Sequence, residues 1–132
     1  SGMRRGVPVL DPEGHVRAMA RRATIVRDWF VFLEHHPLVL GPVCAEPPFP
    51  WGLDTGSDAD MDRVRRAQGP QFLLPVLGLP GLSAPLGALD GVPLGVQLTG
   101  PRYREDLVLE AAGVLESRHP SATPIDPAWS AR

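Results

Sequence analysis

The sequence predicts an α/β fold. Stretches with helical apolar periodicity alternate with short apolar runs rich in branched residues. The 16 prolines and 14 glycines are spread along the chain, which predicts many turns between short elements. A length of 132 residues suits one domain, which we assign to residues 3–132. We take Ser1 and Gly2, which precede Met3, as a tag remnant.

The first predicted element is a long helix between Arg17 and His36. The turn-forming sequence at residues 11–14 precedes it as a turn or helix start, and Pro37 prevents its continuation. Its apolar residues recur at intervals of three and four and therefore share one face. They are Val16, Met19, Ala20, Ala23, Val26, Phe30 and Leu33.

A strand and a long loop follow the helix. The branched apolar run at residues 38–43 predicts a strand buried on both faces. Residues 46–56 contain too many prolines and glycines for regular structure. This loop also carries Phe49 and Trp51, and such large aromatics indicate a loop that folds back onto the protein.

The second half of the chain predicts a short helix, two strands and a last helix. Ser57 is a helix N-cap for a helix that ends at Gly69, and residues 70–77 are ambiguous. Strands are expected at residues 82–86 and 94–98, joined by a connection of more than two residues that includes the hairpin-favouring pair Asp90-Gly91. The last helix runs over residues 104–119, and the proline-rich residues 120–132 are expected to cross a surface.

Charge and composition exclude several functions. All 13 basic residues are arginine, so no mechanism can use a lysine of this chain. A net charge of -2 argues against binding to nucleic acid or to an anionic membrane. No apolar run approaches the roughly 18–20 residues that span a bilayer. Cys44 is the only cysteine, which rules out an internal disulfide and favours a reducing, cytoplasmic location.

Two side chains are candidate nucleophiles. Ser83 lies in Gly81-Leu82-Ser83-Ala84-Pro85, one residue away from the G-x-S-x-G elbow of serine hydrolases. Proline replaces the second glycine and no helix follows, so a strand serine is the better interpretation. Cys44 follows a strand, and a dyad with His36 is an alternative to a small buried thiol.

Other polar clusters carry weaker hypotheses. Adjacent His35 and His36 point in different directions on a helix, so Glu34-His35-His36 predicts no metal site. The glycines between Gly78 and Gly95 lack phosphate-loop spacing, and we expect no cofactor. The arginine clusters are interleaved with acidic residues and predict charged faces rather than a nucleic-acid site. These clusters are Arg4-Arg5, Arg21-Arg22 and Arg63-Arg65-Arg66.

One long segment resembles a known family. Residues 77–116, "LGLPGLSAPLGALDGVPLGVQLTGPRYREDLVLEAAGVLE", are similar to the C-terminal portion of the amidase signature family. The helix followed by an apolar strand that ends in proline agrees with the same family. The matching residues are Gly78, Leu79, Pro80, Leu82, Ser83, Pro85, Gly87, Gly91, Pro93, Gly95, Gln97, Leu98, Gly100, Glu105, Leu109 and Glu116.

The resemblance implies a mixed sheet with flanking helices, and an amidase that uses a Ser–cis-Ser–Lys triad. That triad belongs to an earlier part of full-length members, and this chain contains no lysine. We therefore assign no catalytic residue and expect the chain alone to be inactive. The resemblance implies a substrate pocket that the loop at residues 46–56 helps to bound, and our hypothesis is that Phe49 and Trp51 of this loop form pocket walls.

Three alternatives for function stay open. The chain is a C-terminal amidase fragment that pairs with an N-terminal portion, or the corresponding part of an amidotransferase subunit. It is otherwise a non-catalytic module that self-associates through an exposed sheet edge. The third alternative is a small enzyme that uses Cys44 or Ser83.

Overall fold

A computed structural model describes residues 9–119. Within this range the chain forms four α-helices and three strands, so the predicted α/β class is confirmed. A single 3₁₀ turn interrupts the loop that follows the first strand. In chain order the elements are α1 (Pro12–His35), β1 (Val39–Pro42), the 3₁₀ turn (Leu53–Thr55), α2 (Asp58–Ala67), α3 (Gly69–Leu77), β2 (Gly81–Leu89), β3 (Val92–Thr99) and α4 (Glu105–Arg118).

Helix α1 begins earlier than the apolar periodicity indicates. Asp11 caps it, and its side chain accepts a hydrogen bond of 2.7 Å from the Gly14 backbone N–H. Pro12 occupies the first turn, where its missing N–H leaves no helical bond unmade. The residues predicted as a turn or helix start are therefore the first turn of the helix.

The sheet has the order β1-β3-β2, and both described pairings are antiparallel. Strands β2 and β3 join through the two-residue turn Asp90-Gly91, whose φ angles are 51° and 79°. The longer connection expected from the sequence was wrong because both strands extend to the turn. A bulge between Pro85 and Gly87 interrupts their register, and Gly87 has a φ of 144°.

Strand β1 is not buried on both faces, and that expectation was wrong. Its residues alternate between half-buried and exposed, and Leu40 is 56% exposed. The four-residue strand lies at the edge of the sheet, and within residues 9–119 more than half of the Leu40 surface stays uncovered. An apolar run does not reveal whether neighbouring elements cover it.

Helices lie on both faces of the sheet. On one face, α3 approaches so closely that a Cβ at Gly81 would overlap the Leu74 side chain. Alternation places Leu82, Ala84 and Leu98 on the opposite face, and α4 packs against β2 and β3. The main core cluster joins α1, α3 and the sheet. It comprises Leu33, Leu77 and Leu79, with Val26, Trp29, Phe30, Val39, Leu73 and Leu74 packed around them.

Arg102 connects α1, α3 and the segment before α4. Its Nε donates to the Gly78 carbonyl at 3.0 Å, and its Nη2 donates to the Leu77 carbonyl at 2.9 Å. Its guanidinium also lies 5.0 Å from the centre of the Phe30 ring. The side chain thereby satisfies carbonyls at the C-terminal end of α3, where the helix dipole favours a positive charge.

The short helices follow local rules. Ser57 caps α2 in a capping box with Asp60, as its sequence position predicts for the cap. The hydrogen bonds from the Ser57 side chain and backbone lower the pKa of Asp60. The ambiguous residues 70–77 belong to α3, which ends at Gly78 with a left-handed φ of 66°. The last helix, α4, agrees with its prediction.

None of the helices described between residues 9 and 119 is long and apolar enough to cross a bilayer.

Candidate functional site

A cleft of about 840 Å³ opens between the end of the β2–β3 hairpin and the segment after β1. The start of α3 closes one side of it. Most of the lining is apolar, and the polar lining side chains are Cys44, Glu46, Gln68, Gln71 and Ser83. The remaining lining residues are Pro42, Val43, Ala45, Pro47, Pro48, Phe49, Leu86, Gly87, Ala88, Leu89, Pro93, Leu94, Gly95 and Val96.

The end of α2 holds the loop wall of this cleft in place. The Ala45 backbone N–H donates to the Ala67 carbonyl at 2.8 Å. The Cys44 thiol donates to the same carbonyl, with an Sγ–O distance of 3.2 Å. Both bonds anchor the loop just before its proline-rich part, where the loop itself has few N–H groups to use.

Glu46 is the only charged residue among those that line the cleft. Arg63 of α2 donates from Nε to the carboxylate oxygen Oε2 at 2.8 Å, and its Nη2 lies 2.8 Å from the same oxygen in an ion pair. The hydrogen bond to Glu46, together with the charge of that carboxylate, raises the pKa of Arg63. The cleft therefore contains a fixed negative charge that is partly neutralised from outside its lining.

Ser83 lies in strand β2, as predicted, opposite Gln97 of β3. Within residues 9–119 its hydroxyl has no hydrogen-bond partner, and no histidine lines the cleft. The Cys44 thiol has its hydrogen bond with the Ala67 backbone carbonyl and not with a basic side chain. Between residues 9 and 119, neither side chain is hydrogen-bonded to a histidine or a carboxylate that could act as its base.

The two predicted pocket walls lie in different places. Phe49 is half-buried and lines the cleft, whereas Trp51 is fully exposed and lies outside the lining. The structure thus brings Phe49, Cys44 and Ser83 together and leaves Trp51 apart. A role in substrate binding stays a prediction for both aromatic residues.

Sequence reasoning missed the side chains that give the cleft its polarity. Gln68 and Gln71 lie at the junction of α2 and α3, a region whose structure the apolar pattern did not specify. Glu46 and Arg63 are 17 residues apart. Their opposite charges were visible in the sequence, but only the fold of the intervening loop brings them together.

The other polar clusters form no site within the described residues. No group of three or more potential metal ligands occurs between residues 9 and 119. The His36 ring lies 4.6 Å from the Phe32 ring and not at Cys44. Arg22 donates to the Val76 carbonyl, and Arg65 pairs with Asp62. Arg4-Arg5 and the proline-rich residues 120–132 lie outside the described residues.

Comparison with known proteins identifies the family. The model of the Amidase family matches residues 11–109, which is most of the chain. The chain is 40% identical to an indoleacetamide hydrolase from Bradyrhizobium japonicum over 119 residues. That match covers 89% of this chain and 25% of the relative.

A second relative has a different activity in its name. Over 98 residues the chain is 37% identical to a glutamyl-tRNA(Gln) amidotransferase subunit from Streptococcus pyogenes. This match covers 73% of the chain and 19% of the relative. The chain thus spans a quarter or less of the length of these relatives, and, with most of its length matched by the family model, it belongs to the amidase family.

Proposed function

We propose that this chain forms part of the substrate cavity of a carboxamide hydrolase and contributes no catalytic residue to it. It corresponds to the C-terminal portion of the amidase fold, and a complementary N-terminal portion supplies the Ser–cis-Ser–Lys triad. The intact enzyme cleaves a carboxamide C–N bond through an acyl-enzyme. The observation that carries the proposal is the family match over residues 11–109 in a chain without lysine.

The lining of the cleft favours a substrate whose acyl group is neutral and apolar. Its walls are mostly apolar, with Phe49 on the loop side and Leu86 and Leu94 on the hairpin side. Glu46 would repel a ligand carboxylate, because Arg63 offsets its charge only in part and no cation lies within the lining. The primary amide of indoleacetamide meets both conditions, since its ring is apolar and it carries no charge.

A chimera tests this proposal. This chain replaces the matching segment of the Bradyrhizobium japonicum indoleacetamide hydrolase, and ammonia release from indole-3-acetamide is measured. We expect hydrolysis by the chimera and none by the isolated chain. Hydrolysis by the isolated chain would contradict the proposal. So would a chimera that unfolds as cooperatively as the parent hydrolase yet releases no ammonia.

Two single variants of the chimera test the pocket walls. Phe49→Ala should raise KM for indole-3-acetamide about tenfold and leave acetamide hydrolysis unchanged, because only the larger acyl group contacts the ring. Trp51→Ala in the same chimera is the matched aromatic substitution outside the cleft. Selectivity that Phe49→Ala leaves unchanged would exclude Phe49 from the pocket.

An amidotransferase subunit is the second candidate, favoured by the 37% identity to the Streptococcus pyogenes protein. Ammonia release from glutamine by the same chimera, in place of indole-3-acetamide, would support it.

We propose a cytoplasmic location and a single domain over residues 3–132, whichever of the two candidates holds. Self-association through the free edge of β2 remains a further proposal, because β2 pairs with a neighbour on one side only among the described strands.

A further inference from the structure

Helix α1 carries a second apolar stripe beside the one that packs on α3. Ile25, Trp29 and Phe32 follow each other at intervals of four and three and line a groove of about 340 Å³. Ile25 is 37% exposed and Phe32 is 45% exposed. The Phe32 ring packs edge-on against Trp29 at 5.7 Å, which extends the apolar surface along the helix. No other described element covers this groove.

The same helix face continues toward the N-terminus with smaller residues. Steps of three and four from Ile25 lead to Arg21, Ala18 and Gly14. The C-terminal end of the face therefore carries bulky rings, whereas Ala18 and Gly14 at the N-terminal end carry almost no side-chain volume. The bulky C-terminal end of this face on one copy is therefore complementary in shape to the N-terminal end with its small residues on a second copy.

We propose that a second copy of this chain docks here, with the two α1 helices antiparallel and a twofold axis near Ile25. In this arrangement Phe32 lies opposite Ala18 of the second copy, since each is seven residues from Ile25. Likewise, His36 lies opposite Gly14 of the second copy. Rings then pack against small residues at both ends, and the contact closes on itself as a dimer.

The charges on this face favour the same orientation. Arg21 has no ion pair or hydrogen bond within residues 9–119, whereas Arg22 is occupied by the Val76 carbonyl. Asp28 lines the groove and, although Arg27 lies 3.1 Å from it, stays open to solvent. The antiparallel arrangement brings Arg21 level with Trp29 of the second copy, four residues from Ile25 on either side, and within one residue of Asp28, so that a charge pair and a cation–π contact form. A parallel arrangement would instead oppose Arg21 to itself.

A charge-reversal cycle tests the proposal. The mass of the full chain is measured by light scattering and sedimentation over a wide range of concentration. We expect a dimer that Arg21→Asp or Asp28→Arg each weaken at least about tenfold. The double variant should restore dimerisation because it re-forms the pair in the opposite sense. A monomer at all concentrations, or single variants that dimerise like the original chain, would overturn the proposal.

A crosslink locates the axis independently. In a Cys44→Ser background, Ile25→Cys should form a disulfide between copies under mild oxidation, because a residue on a twofold axis meets its own counterpart. Val31→Cys is the matched control, since Val31 is an exposed apolar residue on another face of α1. Equal crosslinking at both positions would contradict docking along this groove. Dimers that crosslink at neither position would indicate another surface, such as the edge of β2.

Discussion

The two halves of helix α1 have the same apolar pattern and opposite surroundings. In the C-terminal half, Leu33 is 2% exposed and packs with Leu77 and Leu79. In the N-terminal half, Val16 lies on the continuation of that stripe and is 66% exposed. The comparison shows that periodicity specifies which face of a helix is apolar, whereas the position of neighbouring elements decides how much of that face is buried.

The largest expected effect is a loss of stability that differs between the two halves of α1. Leu33→Ala removes a buried side chain from the main core and should lower the free energy of unfolding by about 2–5 kcal/mol. Met19→Ala, on the exposed half of the same stripe, should change it by less than about 0.5 kcal/mol. Urea denaturation followed by circular dichroism measures both. Equal losses for the two variants would mean that the N-terminal half is covered in solution.

A smaller loss of stability is expected at Arg102, which links the buried half of α1 to α3. Arg102→Ala leaves the Leu77 and Gly78 carbonyls without their donor and removes the contact with Phe30. We expect a loss of about 1–3 kcal/mol in the same denaturation experiment.

Arg104→Ala is the matched control, because the ion pair that Arg104 forms within residues 9–119 is with the exposed Asp106 two residues away. Arg104→Ala should lower the free energy of unfolding by clearly less than Arg102→Ala does. Arg102→Lys keeps the charge but loses the fork-shaped set of donors, so its stability should lie between those of Arg102→Ala and the original chain. A lysine variant as stable as the original chain would contradict the bidentate role.

The smallest effect concerns the exposed half alone. Asp11→Ala removes the N-cap of α1, which contributes about 1 kcal/mol to a helix. Because few tertiary contacts depend on this half, the loss should appear as faster amide hydrogen exchange near residues 14–20. Global unfolding should hardly change. Asp11→Asn should preserve slow exchange, and identical exchange in Asp11→Ala and the original chain would count against the cap.

Local chemistry explains most of the fold that could be predicted. Ser57 caps α2 and Pro37 stops α1 through interactions that reach only a few residues. The hairpin turn was recognised, but its length was not, because the predicted strands stopped at residues 86 and 94, whereas pairing continues past the bulge to Leu89 and Val92. The exposure of β1 could not be predicted, since the same apolar run of residues can form a strand at the edge or at the centre of a sheet.

The candidate site shows the same division. By itself the sequence determined the amidase resemblance, the absence of lysine, and the helices whose caps and stops are local. Only the tertiary structure decided that Phe49, Cys44, Ser83 and the Glu46–Arg63 pair share one cleft while Trp51 lies outside it. The physical reason is distance along the chain. Caps and turns depend on neighbouring residues, whereas a cleft depends on how a proline-rich loop returns to a hairpin many residues away.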